Sequence, residues 1–281
     1  MNELTVTLYQ QDIRWNDPES NRLHAEEAIA NTVASAAGTD IFVVPETFTT
    51  GFGNHMADLA EEPEGPTLQW ARRMAAQYNL LFVGTWIVRE GDQCFNRMHL
   101  VYPDGTFGTY DKAHTFRVSG ESDIIARGTS RKVYEYKGWR IKPAICYDLR
   151  FPMWLRNEPA VRADLRGIGA RDIDAEIATM PDLLSYDILL VSANWPGSRH
   201  QAWTTLIKAR AIENLCYVVG CNRCGTDEHG SDYHGDSAII DYKGYYVVED
   251  TTYGPHVINS TLHKDKLDTF RRRWPFFLDF D

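Results

Sequence analysis

Tyr186-Asp187-Ile188-Leu189-Leu190-Val191 is followed by a helical stretch from about His200 to Asn214, and then by Cys216 to Cys221. The first run is short and almost continuously apolar, as in strands buried on both faces. In the helical stretch Trp203, Leu206, Ile207, Ala211 and Leu215 fall on one stripe. Strand, helix and strand in succession make an α/β unit in which helices cover a sheet. The alternation continues outward in both directions. Leu4, Val6 and Leu8 share one face of a first strand, and Asp17-Pro18-Glu19 opens a helix to about Ala37, stopped by Gly38. Asp40 to Val44 is a second buried strand, and Gly65-Pro66 opens a helix to about Tyr78. Leu80 to Val88, Cys94 to Tyr102 and Trp139 to Ile145 read as further strands. Tyr102-Pro103-Asp104-Gly105 and Asp241-Tyr242-Lys243-Gly244 are hairpin turns, so the sheets are mixed.

No Gly/Pro/Ser linker, low-complexity tract or clear internal repeat interrupts the pattern, and residues 1–281 read as one domain. Residues 157–184 stand apart as a charged surface insertion, with Ile173 to Ala178 as its one short helical stretch. Lying just downstream of Cys146, it is read either as a lid or as a passive excursion. Residues 262–281 form a C-terminal tail. There Arg271-Arg272-Arg273 precedes Trp274, Phe276 and Phe277, which favours packing over a binding arm.

The net charge of −10 argues against a nucleic-acid partner, because phosphate binding needs clustered Lys and Arg. No run approaches the roughly 18 apolar residues of a membrane helix, and the first residues lack the pattern of a signal peptide. Five cysteines, an odd number without an export signal, fit reduced thiols in the cytoplasm.

Three segments carry chemistry. Ile145-Cys146-Tyr147-Asp148-Leu149-Arg150-Phe151-Pro152 places a thiol where a strand ends in a polar turn. The peptide N–H groups that follow are free to meet an anion there. Glu46, in Val43-Val44-Pro45-Glu46-Thr47-Phe48, ends a buried strand, where a carboxylate is costly unless it faces a cleft or a partner. Lys112, in Tyr110-Asp111-Lys112-Ala113-His114, follows a hairpin. Each has a plain alternative, respectively a buried hydrophobe, a strand-end cap and a surface lysine. Together they suit acyl transfer: a sulfur nucleophile, an acid–base group and a fixed cation for the developing oxyanion.

Pro45-Glu46-Thr47-Phe48, Tyr110-Asp111-Lys112 and Cys146-Tyr147-Asp148-Leu149-Arg150-Phe151-Pro152 resemble the Glu, Lys and Cys signatures of the carbon–nitrogen hydrolase (nitrilase) superfamily. Lys112 to Arg117 with Glu121, Ala193-Asn194-Trp195-Pro196, Ala209 to Asn214 and Gly220-Cys221-Asn222-Arg223 resemble its bacterial omega-amidase branch. The resemblance runs in order from Leu4 to about Ile258. It implies a four-layer α-β-β-α sandwich, usually dimerised through helices. It also implies Glu46 as general base, Lys112 as oxyanion stabiliser, Cys146 as nucleophile and Glu121 as a second, positioning glutamate. A small-molecule amide of a 2-oxo acid is the implied substrate, with no metal or organic cofactor; an N-carbamoyl compound, an aliphatic amide or a nitrile is the alternative. Asn194 and Trp195 are expected as pocket walls, with Tyr147 and Phe116 as further substrate contacts. Arg117 and Arg150 are candidates for the substrate carboxylate, each with a structural salt bridge as its alternative, Asp148 being the nearby partner for Arg150. The chain departs from the branch in residues 158–185 and in the flanks of Glu121. An activated Cys146 thiolate is expected to be alkylated ahead of the other four cysteines.

Cys221-Asn222-Arg223-Cys224 with His229 and His234 has the spacing of a small zinc knuckle, but Cys221 ends an apolar strand and is expected to pack inward. A Cys–His pairing through His114 or His200 lacks a protease signature. Gly51-Phe52-Gly53 and Gly167-Ile168-Gly169 lack the third glycine of a nucleotide-binding loop.

Overall fold

The computed structural model describes all residues except 36–37, 54, 160–182, 249–251 and 281. In chain order its strands are β1 (Glu3–Gln10), β2 (Ile41–Val43), β3 (Leu81–Glu90), β4 (Gln93–Val101), β5 (Phe107–Asp111), β6 (Tyr134–Tyr136), β7 (Trp139–Ile145), β8 (Ile188–Ala193), β9 (Tyr217–Asn222), β10 (Cys224–Thr226), β11 (Asp232–His234), β12 (Ala238–Ile240), β13 (Tyr246–Val248) and β14 (His256–His263). The helices are α1 (Pro18–Ala34), α2 (Pro66–Tyr78), α3 (Glu121–Ile124), α4 (Pro152–Leu155), α5 (His200–Asn214) and α6 (Lys264–Arg273).

Two six-stranded sheets form, in the orders β14-β1-β2-β3-β4-β5 and β13-β12-β9-β8-β7-β6. β10 and β11 make a separate hairpin. Leu4, Val6, Val43, Val83 and Met98 of the first sheet pack on Trp139, Ile141, Ile145, Leu190 and Val219 of the second. The outer face of the first sheet is covered by Ala25, Ile29, Leu68, Ala71 and Met74 of α1 and α2. That of the second is covered by Trp203, Ile207 and Ala211 of α5 and Leu155 of α4. These are the four layers α-β-β-α, and strands such as β2 and β8 are apolar throughout because both their faces are covered.

The two sheets share one order of pairings. From β14 to β5 these run antiparallel, parallel, parallel, antiparallel, antiparallel, and from β6 through β7, β8, β9 and β12 to β13 the order is the same. The sequence shows no clear repeat, yet β2 and β8 occupy equivalent places, and Glu46 and Asn194 follow them.

Two elements differ from the sequence reading. α5 buries Arg210 and Asn214 as well as its apolar stripe, because the Arg210 guanidinium caps the turn after Cys146, donating to Leu149 O at 3.0 and 2.7 Å. The tail does not begin at residue 262: β14 pairs with the whole of β1 and runs to His263 before α6 starts. Within that tail Arg271 and Phe277 are buried, whereas Arg273, Trp274 and Phe276 are exposed, so the stretch packs only in part. The expected insertion, its short helix and its lid role lie largely outside the described residues. Its ends are joined, Pro159 bridging Leu184 and the Asn157 amide donating to Tyr186 O and Asn214 O.

Candidate active site

β2 ends at Val43, and Pro45 takes the chain out of the sheet so that Glu46 lies where the two sheets meet. Ser192 Oγ donates to Val44 O at 2.9 Å and Glu46 N to Ala193 O at 3.4 Å, tying the ends of β2 and β8 together. The fully buried Glu46 carboxylate accepts from Lys112 Nζ and Asn96 Nδ2, each at 2.8 Å, and from Asn194 N at 2.9 Å. The Asn194 side chain in turn donates to Glu46 O and to Thr47 Oγ1. Lys112, directly after β5 and also fully buried, donates to both Glu121 oxygens at 3.0 and 2.9 Å. Glu121 opens α3, and its carboxylate also accepts from Phe116 N at 2.5 Å. One ammonium thus stands between two carboxylates, and all three groups have fixed hydrogen-bond partners.

Cys146 follows β7 with φ of +43°, a left-handed conformation that a non-glycine residue adopts only when its surroundings impose it. The turn lifts the thiol out of the sheet, as a nucleophile at a strand-to-helix corner requires. Asp148 holds this corner. Its carboxylate accepts from Ile145 N at 3.0 Å, Tyr110 Oη at 2.8 Å, and His114 N and Nδ1 at 2.9 and 2.7 Å. His114 stacks on Phe151, with ring centroids 3.7 Å apart. Asp148 therefore couples the Lys112 loop to the Cys146 turn. Tyr147 N, in the first turn of the 3-10 segment Cys146–Arg150, has no acceptor within that segment.

The thiol lies beside the Glu46 carboxylate and 3.9 Å from Asn194 O. Burial first, and then the charge of Glu46, pushes the Cys146 thiol well above its ordinary value, with Lys112 pulling the other way. Burial alone would lower Lys112, but the charges of Glu121 and Glu46 outweigh it and raise its pKa. Glu121 is raised by burial, against the pull of Lys112. Burial and the Glu46 charge both favour the neutral thiol over the thiolate at Cys146. Cys146 is half-buried whereas Cys94, Cys216, Cys221 and Cys224 are buried, so preferential labelling at Cys146 follows from access and not from acidity.

The thiol and Lys112 open onto a cavity of about 270 Å³. Phe116, Tyr147, Arg150, Asn194 and Trp195 line it, as the sequence suggested; Arg117 does not, being exposed on the turn Arg117–Ser119 that leads away from Phe116. The expected Arg150–Asp148 bridge is also absent, because Asp148 is committed to His114 and Tyr110. Arg150 lies instead over the Trp195 ring at 5.0 Å, and Arg199, which the sequence reading missed, over Phe116 at 5.3 Å. Neither guanidinium has a carboxylate partner among the described residues. Asn96 was also missed; an asparagine inside an apolar alternating strand is the signal that could have flagged it.

Residues 5–272 match the family model of the carbon-nitrogen hydrolases. The chain is 37% identical over 281 residues, 100% of its length and 98% of the relative's, to omega-amidase YafV of Yersinia enterocolitica. It is 30% identical over 248 residues to the 2-oxoglutaramate amidase of Bacillus subtilis, covering 87% of this chain and 85% of that one. Among solved structures, XC1258 from Xanthomonas campestris, a CN-hydrolase superfamily protein with an arsenic adduct in its active site, superposes with a TM-score of 0.89. It is 39% identical, with 100% and 98% of the two chains covered. Family model, full-length relatives and fold agree, and the chain belongs to the carbon–nitrogen hydrolase family.

Proposed function

We propose that this chain is an amidohydrolase releasing ammonia from the terminal amide of a small 2-oxo acid, 2-oxoglutaramate or 2-oxosuccinamate, through a cysteine thioester. The observation that carries this reading is the buried Glu46–Lys112–Glu121 cluster beside Cys146 at the base of the cavity. Sγ attacks the amide carbon while its proton passes to Glu46, and the C–O π electrons move onto oxygen. Lys112 Nζ and Tyr147 N stabilise that oxyanion, each well-placed donor contributing roughly 3–4 kcal/mol. Glu46 returns the proton to the amide nitrogen, the C–N bond breaks, and ammonia leaves the thioester. Water then attacks the thioester carbon, giving a proton to Glu46, and collapse releases the acid and restores the thiol. Glu121 acts through Lys112, holding its ammonium in place. The omega-amidase and 2-oxoglutaramate amidase relatives support the substrate class.

Such a substrate carries a carboxylate away from the reacting amide, and Arg150 and Arg199 are the cations on the cavity wall placed to receive it. Arg150→Ala and Arg199→Ala are each expected to raise KM for 2-oxoglutaramate by about tenfold or more while kcat changes little. An equal effect on a neutral short amide would remove the carboxylate role. The substrate class is tested by comparing ammonia release from 2-oxoglutaramate, a carbamoyl amino acid and a simple nitrile; turnover of either of the last two with the first inert overturns it.

The expected homodimer belongs to the same proposal. Ile212 of α5 and Tyr245 are exposed apolar residues, and Ile212 packs on Gly244. Light scattering that gives the mass of one chain at micromolar concentration would reject it. Free thiols at all five cysteines support a reducing, cytoplasmic setting, and no helix among the described residues is long and apolar enough to cross a membrane. The core shared by both sheets supports reading residues 1–281 as one domain.

A further inference from the structure

His234 does not join the cysteines that its spacing suggested. Cys221 Sγ donates to Tyr9 O and Val43 O at 3.4 and 3.5 Å and Cys224 Sγ to Gln10 O at 3.6 Å, both inside the fold. His234 instead meets His200 and Asp236. Donor atoms of these three side chains lie within 4.8 Å of one another, the only such group of three among the described residues. His200 Nδ1 stands 3.9 Å from Asp236 Oδ2, too far for a hydrogen bond, and the two imidazole centroids are 5.4 Å apart. No hydrogen bond satisfies either ring or the Asp236 carboxylate among the described residues, and that carboxylate is 23% exposed. A partly exposed carboxylate facing two imidazoles without a direct bond to either leaves all three donor sets free for a shared ligand.

The backbone holds this arrangement. Gly235 and Asp236 both have left-handed φ, +84° and +53°. A Cβ at Gly235 would overlap the Gln10 amide, at 2.0 Å from its Cδ. Asn222 Nδ2 donates to Gly235 O at 2.7 Å and Trp203 Nε1 to Asp236 O at 2.7 Å, so the turn that aims the carboxylate is pinned on both sides. Gly197 lies flat on the His234 ring, where a Cβ would fall within 2.4 Å of it. Two imidazoles and one carboxylate are the donor set of borderline divalent ions, with a coordination position left for water.

We propose that His200, His234 and Asp236 bind a divalent cation of the zinc class at the side of the active-site cavity, apart from the reacting atoms. Zinc bonds of about 2.0–2.2 Å put tetrahedral ligand atoms about 3.4 Å apart. The half-exposed His200 ring closes the remaining distance by rotation, since the other two ligands are the anchored ones. His200 directly follows Arg199 and His234 directly follows Tyr233, and both of those line the cavity. A bound ion therefore cross-links the two segments that form that wall.

The test is calorimetric titration of Zn²⁺ into the full-length, untagged chain carrying Cys146→Ala, so that the active-site thiol cannot contribute a ligand. One ion per chain is expected, with affinity reduced more than about tenfold by His200→Ala, His234→Ala or Asp236→Asn. No one-to-one binding up to about 100 μM zinc overturns the proposal, as does unchanged affinity in the three variants. If His234→Ala fails to fold, His200→Ala decides the matter, because that side chain is 50% exposed at the start of α5.

Discussion

Cys146→Ala is expected to release no ammonia from any amide, a fall of at least about 10⁴-fold, while the folded protein stays within about 1 kcal/mol of the parent. The asymmetry comes from where the thiol sits. Its Sγ lies beside the Glu46 carboxylate and 3.9 Å from Asn194 O, but the turn that holds it is fixed by Asp148 and by Arg210 at Leu149 O, neither of which depends on sulfur. Alanine tolerates the +43° φ no worse than cysteine does. Steady-state ammonia release together with a denaturant melt checks both halves. Turnover above about one part in a thousand of the parent would move the nucleophile elsewhere. Glu46→Gln makes the contrast. All three donors around that carboxylate, Lys112 Nζ, Asn96 Nδ2 and Asn194 N, require an acceptor, so the glutamine NH₂ must face one of them. That variant loses the proton acceptor and is destabilised as well, by roughly 1–3 kcal/mol. A Glu46→Gln protein as stable as the parent would mean that the carboxylate is held less tightly than these distances imply.

The parts of this site that were legible in the sequence are those whose chemistry is unusual for their place. A glutamate at the end of a buried strand, a lysine after a hairpin and a cysteine before an Asp-Leu-Arg-Phe-Pro turn stand out residue by residue. The helices α1, α2 and α5 and the long strands were legible for a different reason, since burial on one or both faces writes a period into the chain. β14 was not, because its inward positions include Ser260 between Ile258 and Leu262, which breaks the apolar alternation. Arg117 is a candidate because it lies near the Lys112 motif in sequence, and nothing in the sequence marks Arg199. The turn Arg117–Ser119 then carries that side chain outward, while the turn Gly197–Arg199 brings the other in. Asp148 was read as a partner of Arg150 on proximity alone. Its carboxylate is claimed by the backbone and ring of His114, 34 residues earlier in the chain, a contact that exists only once β5 and β7 are brought together. The equivalence of the two sheets was hidden for a related reason. Pairing order depends on which faces are buried and how strands twist, and unlike sequences satisfy it equally well.

Asp187→Asn is expected to cost about 3–5 kcal/mol of stability without touching any group in the cavity. Asp187 precedes β8, and its fully buried carboxylate accepts from Arg140 N, Nε and Nη2 at 3.1, 3.2 and 2.9 Å, from Lys264 Nζ at 2.7 Å and from Arg271 Nη1 at 2.8 Å. Arg271 is itself 0% exposed and spends its other donors on Leu215 O and Tyr186 O at 2.8 Å each. One anion thus fastens α6 to the start of β8, and removing its charge leaves a buried guanidinium uncompensated. Burial by itself would raise the Asp187 carboxyl, but the hydrogen bonds of Arg140 and the charges of Arg271, Arg140 and Lys264 outweigh it and hold it far below the ordinary carboxylate range. A depressed folded-state pKa stabilises the protein wherever the unfolded carboxyl is ionised. The contribution is therefore complete above about pH 5 and is lost as pH falls below about 4. Urea titrations of parent and Asp187→Asn should differ by a constant amount between about pH 5 and about pH 8 and converge in acid. A difference under about 1 kcal/mol at neutral pH, or one that shrinks as pH rises, would show that the cations around Asp187 find other partners when it is gone.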